Sequence, residues 1–296
     1  MGASPFLKWA GGKTQLLDRI LPRLPNRIRT YYEPFVGGGA VFFALAREGR
    51  VREAVLGDMN HELIATYRCV RDDVELLIEA LQALQPAATD SERFYEIRAQ
   101  DPDALDDVDR AARFIYLNKT CFNGLYRVNR SGRFNVPFGR YKRPKVVDPE
   151  GLRAASRALA RADLMVRDFE QTVVRAGRGD AVYFDPPYVP LSTTACFTSY
   201  HRSPFGPTEH ERLTVVYRAC WRRGAVALLS NSDTELTQKL YRGLDVEIVS
   251  AQRAINRDAT GRGPVREVLV HGVARPARGT ARTPDVETAA GQRRAS

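Results

Sequence analysis

The chain has 296 residues, 44% hydrophobic and 27% charged, a balance that fits a soluble protein with one large core, or a core plus an inserted unit. It has no apolar run long enough for a bilayer and no export pattern at its amino terminus, which points to the cytoplasm and away from a membrane. The four cysteines (Cys69, Cys121, Cys196, Cys220) and four histidines make no metal-ligand spacing, so no metal is expected, and a net charge of +10 favours a polyanionic partner, nucleic acid before membrane.

Phe6-Leu7-Lys8-Trp9-Ala10-Gly11-Gly12-Lys13-Thr14 opens the chain. Gly12-Lys13-Thr14 suggests a phosphate loop, but that motif needs a glycine five positions earlier, where Leu7 stands. The segment reads instead as a glycine-rich turn that brings Trp9 and Lys13 against a ligand, or as a buried Trp beside a solvated Lys. An amphipathic helix through Leu16, Leu17, Ile20 and Leu21 is expected next. Tyr31 to Val36 then reads as a strand that runs into Gly37-Gly38-Gly39 and an apolar helix, Ala40 to Ala46. Strand, glycines and helix make the phosphate or adenosine end of a nucleotide-binding unit, because glycine lets the backbone come close to a ligand. A second strand, Val55-Leu56-Gly57, ends in Asp58, about 20 residues on, where an acid accepts hydrogen bonds from ribose hydroxyls or else caps the next helix.

From about Glu62 to Leu117 apolar residues recur at three and four, with no strand between the helices. The βαβ rhythm is therefore interrupted by an inserted helical unit. That unit ends in a basic run, Lys119 to Lys145, which contains no Asp or Glu. Asn129-Arg130-Ser131-Gly132 reads as a hairpin turn within it. Arg127, Arg130, Arg133 and Arg140 interleave with Phe122, Tyr126, Phe134, Phe138 and Tyr141. A ribbon of cations and rings fits a duplex groove, where arginines meet phosphates or guanine edges and aromatics wedge between bases; the alternative is a solvated basic hairpin.

After Pro149 the rhythm resumes with a helix through Leu152 and Leu159 and a strand, Leu164-Met165-Val166, that ends near Asp168. Asp180 to Phe184 reads as a buried strand stopped by Asp185-Pro186-Pro187-Tyr188, since proline offers no N–H to a ladder. Asp185 and the Pro186 carbonyl are two acceptors suited to the hydrogens of a planar amino group, and the Tyr188 ring is a face on which a base can stack. Residues 190–206 read as a lid or substrate wall. Strands are expected near Ala225–Leu229, Val246–Val249 and Val268–Val270, and residues 274–296 read as a disordered basic tail.

Three features occur in this order: a glycine-rich adenosine site, a basic hairpin, and Asp-Pro-Pro-Tyr. Together they resemble the Dam family of DNA adenine-N6 methyltransferases, through Phe6 to Lys13, Glu33 to Gly37, Asn123 to Tyr141, Asp185 to Tyr188 with Pro190-Leu191-Ser192, and Ser230-Asn231. The likeness covers nearly the whole chain to about residue 273. It implies an α/β fold, a seven-stranded, Rossmann-like methyltransferase sheet with an inserted helical and hairpin target-recognition domain. The division it implies is catalytic residues 1–61 and 146–273, recognition residues 62–145 and the tail. It implies S-adenosylmethionine as cofactor, held by Trp9, Lys13, Asp58 and Asp185, with Phe35, Gly37 and Gly39 of the glycine motif and Asp168 near the adenine. It implies double-stranded DNA as partner, GATC as target, and Lys8, Phe122, Asn123, Leu125, Arg127 and Pro137 as the reading residues, with Arg130 and Arg133 of the hairpin beside them. Asp185, Pro186 and Tyr188 are the expected catalytic group. An RNA or N4-cytosine methyltransferase and a catalytically silent DNA-binding regulator remain as alternatives.

Overall fold

Two neighbouring tyrosines on the first strand show how the sheet divides its faces in the computed structural model, which describes residues 2–190, 205–252 and 264–273. Side chains alternate across a strand. Tyr31 therefore enters one hydrophobic cluster and Tyr32 the other. Tyr183 and Leu228 share the Tyr31 face, while Val182, Phe184 and Leu229 share the Tyr32 face.

The strands are β1 (Ile28–Glu33), β2 (Val51–Asp58), β3 (Ala162–Val166), β4 (Ala181–Phe184), β5 (Val226–Ser232), β6 (Leu244–Gln252) and β7 (Pro264–Val273). They form one seven-stranded sheet in the order β3-β2-β1-β4-β5-β7-β6. The first five in that order run parallel, and β7 lies antiparallel between β5 and β6. The chain moves outward from β1 to β2 and β3, then returns to place β4 on the other side of β1, with Tyr31 opposite Ala181. The carboxyl ends of β1 and β4 thus meet at a topological switch point, the place where open α/β sheets bind ligands.

The helices are α1 (Leu17–Ile20), α2 (Ala40–Arg47), α3 (His61–Asp72), α4 (Val74–Leu84), α5 (Ser91–Ala99), α6 (Asp107–Thr120), α7 (Pro149–Leu159), α8 (Phe169–Thr172), α9 (Pro207–Arg222) and α10 (Glu235–Leu240). The Tyr31-side cluster takes in Phe42 of α2, Leu63 of α3, Leu77 of α4, Phe94 of α5, Phe114 of α6 and Leu152 of α7. One core therefore runs from the sheet into the helices between β2 and β3. The Tyr32-side cluster packs against Phe169 of α8, Leu213 and Tyr217 of α9, and Leu240 of α10. Polar side chains start several of these helices by accepting from first-turn N–H groups: Asn60 from Leu63, Asp90 from Arg93, Asp106 from Asp109 and Asp168 from Glu170.

Local detail departs from the sequence pattern in four places. The apolar stretch after Thr14 forms 3₁₀ turns around one α turn, α1, and buries Leu16 and Ile20. The first strand starts at Ile28 and ends at Glu33, because Ile28 finds a partner in Val51 and Pro34 has no N–H. The helix cap after β2 is Asn60, not Asp58. The expected hairpin keeps its turn, with the Asn129 side chain accepting from the Ser131 and Arg133 N–H groups, but pairs only as the isolated bridges Val128–Phe134 and Cys121–Phe138. The expected lid lies outside the described residues except for Pro190, Phe205 and Gly206, and the tail lies wholly outside them. Among the described residues, no helix is long and apolar enough to cross a membrane, and no group of His, Cys, Asp and Glu is suited to a metal ion.

Candidate active site and nucleic-acid interface

The glycine turn between β1 and α2 is fixed from three sides. Gly37 and Gly39 have φ of 46° and 67°, a region that costs other residues strain. The Gly37 N–H donates to Asp58 Oδ2 at 3.2 Å, and Tyr67 of α3 donates its hydroxyl to the Gly37 carbonyl at 3.0 Å. A Cβ on Gly37 would lie 2.6 Å from the Trp9 ring, and one on Gly39 would lie 2.7 Å from the Tyr67 hydroxyl. Trp9 thus lies over the turn, and its ring stacks on Tyr126 at 5.8 Å and 19°. Phe35 stacks on Phe169 at 5.5 Å. Asp168, next to Phe169, holds Arg212 through both carboxylate oxygens at 3.0 and 2.6 Å.

Asp185 sits at the end of β4 with its side chain 18% exposed. Its Oδ1 accepts from Lys13 Nζ at 2.8 Å and from Ser230 Oγ at 2.8 Å. Oδ2 has no hydrogen-bond partner among the described residues. Burial raises the Asp185 carboxyl above its ordinary pKa, against the pull of the Lys13 charge and the two hydrogen bonds. Ser230 also bonds the Tyr183 hydroxyl at 2.8 Å, deeper in the sheet. On β1, Glu33 is fully enclosed beside Tyr31, and burial pushes its carboxyl well above the usual range. Lys13 is itself buried, with its ammonium 4.7 Å from the centroid of the Tyr188 ring. The Tyr188 hydroxyl donates to Glu267 of β7 at 2.7 Å. Asn231 Oδ1 accepts from the Val189 N–H at 3.0 Å, while its buried Nδ2 has no partner among the described residues. The Asp-Pro-Pro-Tyr turn is therefore gripped by side chains from β5 and β7.

The basic segment follows α6. Asn118, buried in the last turn of α6, accepts from the Lys8 N–H at 2.8 Å and donates to the carbonyls of Lys8 at 2.8 Å and Gly124 at 3.2 Å. Phe122 and Pro137 are joined through their backbone, with the Phe122 N–H donating to the Pro137 carbonyl at 2.8 Å. The Phe122 ring is 50% exposed, Asn123 has φ of 56°, and Leu125 is partly buried against the core. Arg127 is exposed and leans on Asn135, Nε to Oδ1 at 2.7 Å. Arg133 reaches Asp101 at 3.5 Å, and Arg130 is exposed. Tyr126 and Phe134, by contrast, are buried and pack together at 5.8 Å, so they build the segment and do not face a partner. Beside the segment a cavity of about 440 Å³ is lined by Lys8, Lys119, Lys142, Arg143 and Lys145. Burial lowers the Lys119 ammonium to about 8, with help from the Lys8 charge.

Sequence reasoning missed Tyr67, Asn118 and Glu267 in this arrangement. None carries a local signal, because each meets the site only through the fold.

A seven-stranded sheet of this order, with an Asp-Pro-Pro-Tyr turn at its switch point and a glycine turn beside it, is the arrangement expected of a methyltransferase. The chain belongs to the D12 class N6 adenine-specific DNA methyltransferases, whose family model matches residues 9–255. It is 43% identical over 271 residues to the type II methyltransferase M.MjaIII of Methanocaldococcus jannaschii, covering 86% of this chain and 94% of that one. It is 39% identical to a DNA adenine methylase of Vibrio cholerae, covering 89% of this chain and 94% of that one. A DNA adenine methylase of Salmonella typhi is 38% identical, with coverage of 92% and 98%. The chain is an adenine-specific DNA methyltransferase.

Proposed function

We propose that the enzyme methylates adenine N6 within GATC in double-stranded DNA, in the cytoplasm, with S-adenosylmethionine as donor and with the base flipped from the stack. The carrying observation is Asp185, whose Oδ1 is occupied by Lys13 and Ser230 while Oδ2, with no partner among the described residues, can accept from a ligand. A base inside a duplex cannot present its amino nitrogen to a donor in line, which is the reason for flipping.

In this reading Tyr188 stacks on the base, and Asp185 Oδ2 and the Pro186 carbonyl accept the two amino hydrogens. Two acceptors on the hydrogens favour a tetrahedral nitrogen and aim its lone pair outward. Catalysis is then positioning and fixed electrostatics, with no covalent enzyme intermediate. The glycine cradle, closed to any Cβ at Gly37 and Gly39, suits a nucleoside approaching the backbone. Gly37, Gly39, Trp9, Lys13, Phe35, Asp58, Asp168 and Asp185 would hold S-adenosylmethionine, which supplies a methyl group on a sulfonium centre. Residues 62–145 act as the recognition unit within the catalytic frame of 1–61 and 146–273. Lys8, Phe122, Asn123, Leu125, Arg127 and Pro137 read the site, Phe122 as the exposed ring that enters the stack, and Arg130 and Arg133 hold the backbone.

The test uses two duplexes, one with a single GATC and one with it scrambled, incubated with S-adenosylmethionine and analysed by mass for the modified nucleoside. N6-methyladenine in the GATC duplex alone is the expected result. Methylation of both would discard the target sequence, and replacement of Asp185 by Ala should abolish turnover while leaving DNA affinity within about threefold.

A further inference from the structure

We infer that Glu267 is a positioning residue for the methyl transfer: its carboxylate holds the hydroxyl end of Tyr188 and so fixes the plane of the ring on which the target base stacks. The inference rests on the proposed role of Tyr188. Glu267 stands on β7, across from Ser232 of β5, and no sequence pattern connects it with a turn 79 residues earlier. Its Oε2 accepts the Tyr188 hydroxyl proton at 2.7 Å.

A tyrosine ring is steered by two torsions and is free to swing unless its far end is tied. Among the described residues the turn is tied at its backbone end through Val189 and Asn231. Lys13 stands 4.7 Å from the ring centroid, a contact that presses on the ring without fixing its tilt. The Tyr188 hydroxyl also lies beside Ser230, whose own hydroxyl is shared with Asp185 and Tyr183; the Glu267 bond, at 2.7 Å, is the short directional one, and it sets the ring relative to Asp185. The neighbouring charge on β7, Arg266, is engaged elsewhere, with Asp233 at 3.0 Å. A misplacement of about 1 Å at a reacting centre costs on the order of a hundredfold in rate. Loss of this tether should therefore appear in turnover and spare cofactor affinity, because the glycine cradle is held by other residues.

Long unmethylated DNA made by amplification contains every short site, so the assay does not depend on the GATC assignment. With that substrate, Glu267→Ala should lower kcat at least tenfold while the KM for S-adenosylmethionine stays within about twofold of wild type. Glu267→Gln, which keeps an acceptor and drops the charge, should retain most of the turnover. Tyr188→Phe removes the same bond from the other side and should fall about as far as Glu267→Ala, and the double variant should be no worse than either. A Glu267→Ala enzyme as fast as wild type would overturn the inference. So would a Gln variant as slow as the Ala variant, or losses that multiply in the double variant. If Glu267→Ala fails to fold, Tyr188→Phe decides, with undiminished kcat counting against the tether. Wild-type protein that makes no N6-methyladenine on this DNA would instead refute the underlying reading of the site.

Discussion

Lys13 and Asp185 form an ion pair that does more than hold charge. The carboxyl is raised by burial and held down by the ammonium 2.8 Å away. Only the ionised form leaves Oδ2 as a pure acceptor, so turnover should fall as pH drops through the raised Asp185 value. Lys13→Met removes the stabilising charge, which moves that value further up. The acid limb of kcat against pH should therefore shift to higher pH, measured with cofactor saturating. An unmoved limb would mean that Lys13 serves the cofactor and does not govern Asp185. Arg127 makes a different case. Its guanidinium is exposed and braced by Asn135, which leaves donors free for a base edge. A bidentate base contact is worth about 1–3 kcal/mol of discrimination. Arg127→Ala should bring the affinities for GATC and scrambled duplexes together by roughly tenfold or more in competition binding. Equal weakening on both would make Arg127 a phosphate contact.

At the scale of elements, the buried Asn118 amide joins the side proposed to hold the cofactor to the basic segment proposed to meet DNA. Asn118 binds the Lys8 peptide through two hydrogen bonds and Gly124 through a third, and Trp9, the next residue, is stacked on Tyr126 of the basic segment. Each bond broken leaves a buried or part-buried polar group, at up to about 1–3 kcal/mol. Asn118→Ala should weaken both cofactor and DNA binding although the side chain touches neither ligand, and Asn118→Asp, which cannot donate, should not restore them. Wild-type affinities for S-adenosylhomocysteine by calorimetry and for DNA by titration would refute the coupling. Such links explain what the sequence could and could not reveal. The Asp-Pro-Pro-Tyr turn and the Gly37–Gly39 turn are legible because proline ends a strand and glycine bends a chain wherever they stand. The first strand's true start at Ile28 depends on Val51 across the ladder, and the broken helix at Leu16 to Leu21 on which residues the core accepts. Asn118 lies 110 positions from Lys8, and Asp168 lies 44 from Arg212. Partners so distant leave no periodicity to read.

For the molecule as a whole, the net charge is +10, and eight Lys and Arg with no Asp or Glu fall in the run Lys119 to Lys145, where DNA is expected to lie. The cavity beside the basic segment brings Lys8, Lys119, Lys142 and Arg143 together with the Lys145–Asp148 ion pair (3.0 Å), and a phosphodiester is the group that would relieve the repulsion of the remaining cations. Phosphate contacts carry affinity without sequence information. Replacing Lys142 and Arg143 with Ala should therefore weaken binding to GATC and scrambled duplexes alike and reduce the slope of log K against log salt by roughly two. Lys119 adds a signature of its own, because its ammonium is lowered to about 8 by burial and by the neighbouring Lys8 charge. As pH rises through 8 the free protein loses that cation, and DNA affinity should decline between pH 7 and 9. Lys119→Arg keeps its charge throughout this range, so its affinity should stay flat over the same interval. Parallel curves for the two proteins would place Lys119 outside the DNA interface and leave the cavity's other cations to carry the contact.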